Sequence, residues 1–272
     1  MEIKIQKVCL RYNRNAINIL NEVSLNFYDG MIYSIIGKNG SGKTTLLKML
    51  CGELKPSSGK IIIDKMVYNS RSGREELEQL KDILSYLPQI VEVKASPKTV
   101  LKELKLIPNF ETNKMEEIFK VLNISLDVLD EEYSFLSNIM KRKIALSKVL
   151  IYNPSVIILD EPIIGLDNVV KKALINYLIK LKKVENKIII IASNDIDFVN
   201  RISDEIVVLE EGNVIKLEKK SEIFRNVNFF DSHKIAVPKI IEFENLVLKE
   251  KNIFLGYRDE INDLIKDILR KS

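Results

Sequence analysis

The spacing of apolar residues along the chain predicts strands and helices of an α/β protein. Residues 2–10 alternate between apolar and polar side chains, and 19–27 continue this half-buried strand pattern. Short, continuous apolar runs at 31–36 and 156–159 are typical of parallel strands that are buried on both faces. Further strands are predicted at 60–64, 187–192 and 205–209. Because helical patterns separate the later strands, we expect a mixed, mainly parallel sheet with an antiparallel N-terminal part.

Two regions of the chain show helical periodicity without a clear strand. Between about 93 and 150 the amphipathic segments lie at 98–105, 113–123 and 138–152, which predicts a helical subdomain inserted in the main domain at 2–225. From 226 to 272 two further helices are expected around a short connection. This last stretch is predicted to form a small helical appendage.

Composition restricts the class of protein. The chain has 272 residues, of which 46% are hydrophobic and 29% charged, a balance that is typical of globular proteins. The net charge of +4 is small and spread along the chain, so a nucleic-acid partner is not expected. No apolar run approaches the ~20 residues of a membrane-spanning helix. Any membrane role is therefore expected from the cytoplasmic face, through partners on other chains.

The strongest chemical signal is a glycine-rich loop after the strand at 31–36. The pattern GxxxxGK[ST] occurs where a strand ends and a helix begins, which is its proper context. Glycines let backbone N–H groups face phosphate oxygens, and the helix adds the positive end of its dipole. Lys43 is expected to reach the outer phosphates, and the hydroxyl of Thr44 to bind Mg²⁺. The predicted phosphate-binding residues are Gly37, Lys38, Asn39, Gly40, Ser41, Gly42, Lys43, Thr44 and Thr45.

A pair of carboxylates follows the buried strand at 156–159. Asp160 and Glu161 stand at the carboxyl end of this strand, the edge at which α/β sheets bind ligands. Asp160 is expected to bind Mg²⁺ with Thr44, and Glu161 is the candidate general base for an attacking water.

Together these motifs resemble those of the ATP-binding-cassette (ABC) ATPases, over most of residues 2–222. The segment from Ser85 to Gln89 resembles the family's Q-loop, and the resemblance implies that Gln89 senses both Mg²⁺ and a transmembrane partner. Tyr12 resembles the aromatic residue that stacks on adenine, although an aromatic at this position is equally compatible with packing. Asp167 lies in a segment similar to the D-loop. The resemblance implies ATP and Mg²⁺ as ligands.

Two segments depart from the family's pattern. The signature sequence LSGGQ is replaced by Leu followed by Ser137, Asn138, Ile139 and Met140. A branched side chain at Ile139 is expected to weaken the contact between this segment and a γ-phosphate. Asn194 stands where the family has a switch histidine, and an amide cannot hold a proton as imidazole does. The only histidine, His233, is predicted to be an ordinary surface residue.

In this family two cassettes pair head to tail, so the two departures fall in different ATP sites. We therefore expect a heterodimer with a second, better-endowed cassette, together with a transmembrane coupling subunit. The sequence from Val237 onwards is similar to the tail of energy-coupling factor (ECF) transporter ATPases, which implies import of vitamins or metal ions. An exporter cassette and a weakly hydrolysing regulatory cassette remain open as alternatives. A translation or repair cassette is disfavoured, since the chain has a single cassette and no heptads or CxxC pair.

Overall fold

A computed structural model describes residues 1–11, 17–91, 98–251 and 265–266, and all structural statements concern these ranges. The strands are β1 (Glu2–Leu10), β2 (Leu20–Tyr28), β3 (Met31–Ile36), β4 (Ser58–Ile63), β5 (Met66–Asn69), β6 (Leu84–Leu87), β7 (Val156–Asp160), β8 (Ile188–Ala192), β9 (Glu205–Glu210) and β10 (Asn213–Lys219). The helices are α1 (Lys43–Leu50), α2 (Arg74–Ile83), α3 (Val100–Leu104), α4 (Thr112–Leu122), α5 (Asn138–Tyr152), α6 (Asn168–Glu185), α7 (Ile196–Ile202), α8 (Lys220–Ile223), α9 (Val227–His233) and α10 (Lys239–Lys251).

The strands form two sheets within the described residues. The N-terminal sheet has the order β2-β1-β4-β5, and the pairings recorded in it are antiparallel. The second sheet has the order β10-β9-β3-β8-β7-β6 and is parallel except for β10, which pairs antiparallel with β9 at the edge. The predicted combination of a mainly parallel sheet with an antiparallel N-terminal part is confirmed.

The centre of the parallel sheet is apolar on both faces. Every residue of β7 and β8 is buried, as the continuous apolar runs predict. Ile158 and Ile190 pair in register and pack with α1 on one side of the sheet. Their neighbours Ile157 and Ile189 belong to the core on the other side. The sheet therefore holds the carboxyl ends of β3 and β7 in fixed positions, close to one another.

The region between β6 and β7 is helical, as predicted. It contains α3, α4 and α5 with two short 3₁₀ helices, Leu126–Asp130 and Tyr133–Phe135, and an isolated bridge between Thr99 and Glu132. Apolar side chains of α4 and α5 pack into the same core as α6. No described helix is both long enough and apolar enough to cross a membrane.

Several short elements were not predicted. Helix α2 was not predicted, although its Leu77, Leu80 and Ile83 recur at helical spacing, and neither were the four-residue strands β5 and β6. The edge strand β10 was also missed because none of its residues is buried. Short or exposed elements carry too few core positions to produce a clear period.

The C-terminal region packs on the sheet beside β9. Phe224, Phe230 and Ile241 are buried there against Val208. The helix α9 was not predicted, whereas α10 matches the first of the two expected helices. The second, near 260–269, lies outside the described residues except for Ile265 and Lys266, which are helical. His233 is partly exposed, and its Nδ1 lies 2.9 Å from Glu210 Oε2 while its ring contacts Phe229.

Truncation of the central sheet should destabilise the whole protein. Ile190→Ala removes a fully buried side chain from β8, and the cavity should cost about 2–5 kcal/mol of the free energy of unfolding. Val184→Ala on α6, where the valine side chain is 72% exposed, is the matched control and should change stability by less than ~0.5 kcal/mol. Urea unfolding monitored by circular dichroism measures both. Equal unfolding midpoints for the two variants would contradict the assignment of β8 to the core.

Candidate functional site

The glycine-rich loop connects β3 to α1 and comes very close to another strand. A Cβ added at Gly37 would lie 2.1 Å from the carbonyl oxygen of Leu209, and the φ angle of Gly37 is +149°. Only glycine fits this position, so the loop can turn directly from the sheet into the helix. Helix α1 begins at Lys43, so its first N–H groups have no carbonyl partner within the helix.

The ammonium group of Lys43 lies over this loop. Its Nζ donates hydrogen bonds to the carbonyl oxygens of Gly37 at 2.7 Å and Lys38 at 3.1 Å. Burial lowers the pKa of Lys43, while the nearby carboxylates of Glu161 and Asp160 act in the opposite direction. The loop thus carries a partly desolvated positive charge close to two acidic groups.

The two carboxylates at the end of β7 are buried and differ in their contacts. Asp160 Oδ2 accepts a hydrogen bond of 2.7 Å from the hydroxyl of Thr44, which joins α1 to β7. Burial raises the pKa of Asp160, against the opposing effects of the Thr44 hydrogen bond and the charge of Lys43. The Thr44 hydroxyl and the Asp160 carboxylate thus place two oxygen atoms together that could bind a metal ion.

Glu161 adopts a backbone conformation that non-glycine residues rarely occupy. Its φ angle is +51°, in the left-handed region, which costs about 1–3 kcal/mol for such a residue. Its Oε2 accepts a hydrogen bond from the Ser193 hydroxyl at 3.1 Å, and its Oε1 accepts one from the backbone N–H of Asn194 at 2.8 Å. Burial raises the pKa of Glu161. The carboxylate is therefore held in one orientation, and it is more basic than an exposed glutamate.

A cleft of about 450 Å³ opens between these groups. Most of the residues predicted to bind the nucleotide or the metal line it. Its lining comprises Ile19, Asn39, Gly40, Gly42, Lys43, Thr44, Thr45, Gln89, Asp160, Glu161 and Asn194. Gly37 and Lys38 instead line a smaller neighbouring cavity of about 120 Å³, which Asn194 also borders. The side chain of Ser41 is buried behind the loop, and Tyr12 lies outside the described residues.

The signature-like and D-loop-like segments stand apart from this cleft. The Ser137 hydroxyl accepts a hydrogen bond of 3.2 Å from the backbone N–H of Met140 and so caps α5. Ile139 is 55% exposed, and its Cγ1 would lie 3.5 Å from a Cβ added at Gly165. Asn138 is exposed beside it, while Asp167 caps α6 through hydrogen bonds to its Oδ1. Within one chain, none of these residues borders the cleft.

Sequence reasoning missed some contributions to the site. Ile19 lines the cleft, but nothing distinguishes it in the sequence from other residues of a strand. The hydroxyl of Ser193, the neighbour of Asn194, holds Glu161. Arg142 follows the signature-like segment, and its contacts with the backbone of Asp160 and Glu161 have no sequence signal.

Chemically, the cleft combines the features needed to bind and attack a polyphosphate. A cation and helix N–H groups meet the negative charge, oxygen ligands stand at one end, and an oriented carboxylate stands beside them. Gln89 and the Asn194 side chain offer further hydrogen bonds at the rim.

Comparisons with known proteins agree with this chemistry. A family model described as "ABC transporter" matches residues 20–164. The energy-coupling factor transporter ATP-binding protein EcfA3 of Oenococcus oeni is 31% identical over 259 residues, which cover 92% of this chain and 90% of that protein. The corresponding EcfA2 of Ligilactobacillus salivarius is 30% identical over 259 residues and covers 91% and 90%.

Solved structures show the same fold. CbiO1 of Clostridium perfringens, described as part of the ABC transporter complex cbiONQ, superposes with a TM-score of 0.68 at 26% identity, over 89% of this chain and 98% of that one. A dimeric ATP-binding cassette in a post-hydrolysis state, bound to ADP and Pi, superposes with a TM-score of 0.70 at 24% identity, over 80% and 98%. The chain therefore belongs to the ABC transporter family, as an ATP-binding and ATP-hydrolysing subunit similar to the ECF transporter ATPases.

Proposed function

We propose that this chain hydrolyses ATP with Mg²⁺ as one half of an asymmetric cassette dimer, and that it powers uptake of a vitamin or metal ion at the cytoplasmic face of a membrane. The observation that carries the proposal is the cleft in which Lys43, Thr44, Asp160 and Glu161 come together. Import is favoured over export because the relatives at about 30% identity are named as ECF transporter subunits.

The phosphates are proposed to lie on the glycine-rich loop and the N-terminus of α1. Lys43 would exchange its carbonyl partners for β- and γ-phosphate oxygens, and the amides of residues 37–45 would bind the remaining oxygens. We assign adenine stacking to Tyr12 on the family resemblance alone. Ile19, which lines the same cleft, would offer an apolar contact near the base.

The residues present fit a magnesium ion. Mg²⁺ prefers oxygen ligands and is usually bound through one or two carboxylates plus substrate phosphates. Thr44 Oγ1 and Asp160 Oδ2 lie 2.7 Å apart at the buried end of the cleft, and Gln89 stands at its rim. These three side chains would hold the ion directly or through water. When bound, Mg²⁺ would neutralise charge on the phosphates and polarise the bond to the γ-phosphorus.

Glu161 is proposed to orient and deprotonate the attacking water. Two hydrogen bonds hold its carboxylate, and the raised pKa suits a group that must accept a proton near neutral pH. Asn194 can donate its amide N–H to the γ-phosphate, although its Nδ2 now donates to Asn39 Oδ1 at 3.2 Å. It cannot carry the proton or charge that a histidine would bring, so this site should turn over slowly.

The asymmetric dimer is proposed from the surface around Ile139. Ile139, Ile164 and Val169 expose apolar side chains beside Asp167, where the resemblance to ABC cassettes implies contact with the second cassette. In a head-to-tail pair, Ser137 to Met140 would face the partner's ATP, and the branched side chain of Ile139 would keep backbone N–H groups away from it. Asn194 would serve this chain's own ATP. A partner cassette of different sequence would supply an intact signature segment to the ATP that this chain itself binds.

A groove next to Gln89 is proposed to receive the transmembrane coupling subunit. Its volume is about 900 Å³, and it lies between the sheet and the helical region. Tyr86 and Pro88 form one wall, Leu106 and Ile107 the other, and Tyr152 closes one end. An amphipathic helix could insert its apolar face there, and its movement would reach the cleft through Gln89. This contact would keep the chain at the membrane as a peripheral subunit.

A regulatory cassette with little turnover is the second candidate. It is favoured by Ile139 and Asn194, which both weaken catalytic contacts. Against it stand Lys43, Asp160 and Glu161, which line one cleft and supply the cation, metal ligand and base that hydrolysis would need. Phosphate release by the paired cassettes separates the two candidates.

ATPase activity should appear when the chain is paired with a second cassette. We expect little phosphate release from this chain alone, clear release with the partner cassette, and a loss of about 10²-fold or more at this chain's site in Glu161→Gln, because the water then has no base. The partner's own Walker B glutamate is replaced in all samples, so that only this site is counted. ATP binding without phosphate release in every sample would establish the regulatory candidate instead.

Restoring a histidine at the switch position should raise turnover. Asn194→His, measured in the same paired assay, is expected to increase kcat about tenfold because imidazole can hold charge and a proton beside the γ-phosphate. Asn213→His on exposed β10 is the matched control and should leave kcat unchanged. An unchanged or lower kcat in Asn194→His would show that the asparagine is not a defect of this site.

The burial of Glu161 should also appear in stability. Because the folded-state pKa of Glu161 is raised above its unfolded value of 4.5, the stability that this group contributes is present below pH 4.5 and is lost as pH rises through the folded pKa. Glu161→Gln cannot ionise, so its melting temperature without nucleotide should exceed that of the wild type by more at pH 8 than at pH 4.5.

Thermal unfolding across this pH range measures the difference, with Glu75→Gln on exposed α2 as the control for the substitution itself. A difference in melting temperature that shrinks towards pH 8 would contradict the burial argument.

A further inference from the structure

The guanidinium group of Arg142 occupies an unusual position between the helical region and the cleft. Arg142 lies on α5, and its side chain is only 9% exposed. Its Nη1 donates to the carbonyl oxygens of Pro88 at 3.3 Å and Gln89 at 2.5 Å. Its Nη2 donates to those of Asp160 at 2.9 Å and Glu161 at 2.5 Å. One side chain thus binds the backbone of both segments that carry the cleft's polar groups.

Burying the charge of Arg142 costs free energy, and an apolar side chain that only filled the same space would not have this cost. A buried cation costs several kcal/mol of solvation free energy unless it is paired and hydrogen-bonded, and apolar side chains of similar volume often pack as well. The nearest negative charges are Asp160 and Glu161, but the guanidinium group binds their backbone carbonyls and not their carboxylates. The contact therefore fixes the backbone without blocking the acidic groups.

The geometry also links Arg142 to the signature-like segment. Ser137 caps α5, and Arg142 follows in the second turn of the same helix. A tilt of α5 at its N-terminus must move the guanidinium group and so pull on the carbonyls of Gln89 and Glu161. Glu161 is held at a φ angle of +51°, a conformation that persists only where its surroundings impose it.

We propose that Arg142 is a positioning residue that fixes the backbone of Gln89 and Glu161 relative to α5, so that ATP hydrolysis depends on the orientation of this helix. The proposal rests on the assignment of Glu161 as the base. A signal from the partner's ATP would enter at Ser137, and one from the membrane subunit at Gln89. Both would act on Glu161 through the same guanidinium group.

The planar fork of arginine is needed for this arrangement. Its two terminal nitrogens reach two pairs of carbonyls on different segments, whereas the ammonium of a lysine is a single point charge on a flexible stem. Arg142→Lys therefore keeps the charge and most of the volume but loses the link between the two segments. Lys143→Gln is the matched control, since Lys143 is the next residue on α5 and its Nζ donates to the Asn123 carbonyl rather than to either segment that Arg142 joins.

The experiment compares the wild type, Arg142→Lys and Lys143→Gln in the paired ATPase assay, with separate measurement of fluorescent ATP binding. Arg142→Lys should lower kcat about 10- to 100-fold, because small displacements of a catalytic group have effects of this size. KM for ATP and the Kd for the analogue should stay within about twofold of the wild type. Lys143→Gln should match the wild type in all three quantities.

Amide hydrogen exchange provides a readout that does not depend on turnover. In Arg142→Lys, exchange should accelerate in the segments 84–91 and 160–166, while β8 and α6 keep their protection. Unchanged exchange in these segments, or an unchanged kcat, would overturn the proposal. So would a parallel loss of kcat, nucleotide binding and melting temperature, which would indicate a general structural role. A wild type that shows no Glu161-dependent ATPase activity would refute the proposed function, and the exchange data would still decide whether Arg142 joins the two segments.

Discussion

The site depends on the burial of two carboxylates at the carboxyl end of a fully buried strand. The apolar run of β7 places this strand in the centre of the sheet, and Asp160 and Glu161 emerge at its end with exposures of 1% and 6%. Charges in such a position are costly unless other groups compensate them. The compensation comes from Thr44, Ser193 and the Asn194 backbone, which are also the groups that orient the acids. Stability and chemistry therefore rest on the same contacts.

Most of the fold and the centre of the site could be predicted from the sequence, for a physical reason. Buried parallel strands produce continuous apolar runs, and a phosphate-binding loop requires glycines at fixed spacing because a Cβ at Gly37 would collide with Leu209. The edge strand β10, which was missed, has no buried residue, whereas α2 was missed although its apolar residues recur at helical spacing. Contacts between segments that are distant in the sequence could not be predicted either. The four carbonyls around Arg142 lie 18 to 54 residues away and use backbone atoms, which leave no mark on residue identity.

The departures from the family's pattern acquire a physical meaning in the structure. Ile139 is half exposed at the start of α5, where its apolar side chain covers backbone that a glycine would leave open. The backbone N–H of Asn194 still holds Glu161, and this contact does not depend on the side chain. The asparagine therefore lacks only the interactions that a histidine side chain would add. One defect therefore concerns the surface proposed for a partner, and the other concerns the chain's own cleft. Because the two departures lie at different places, they favour the proposed pair of unequal cassettes.

The central claim is that the cleft holds the triphosphate of ATP with a magnesium ion between Thr44 and Asp160. The most direct measurement is an experimental structure of Glu161→Gln with ATP, Mg²⁺ and the partner cassette. In this structure we expect a metal ion bound by the Thr44 hydroxyl close to Asp160. We also expect the γ-phosphate next to Lys43 and a water beside residue 161. Nucleotide bound elsewhere, or a metal ion in the cleft that contacts neither Thr44 nor Asp160, would contradict it.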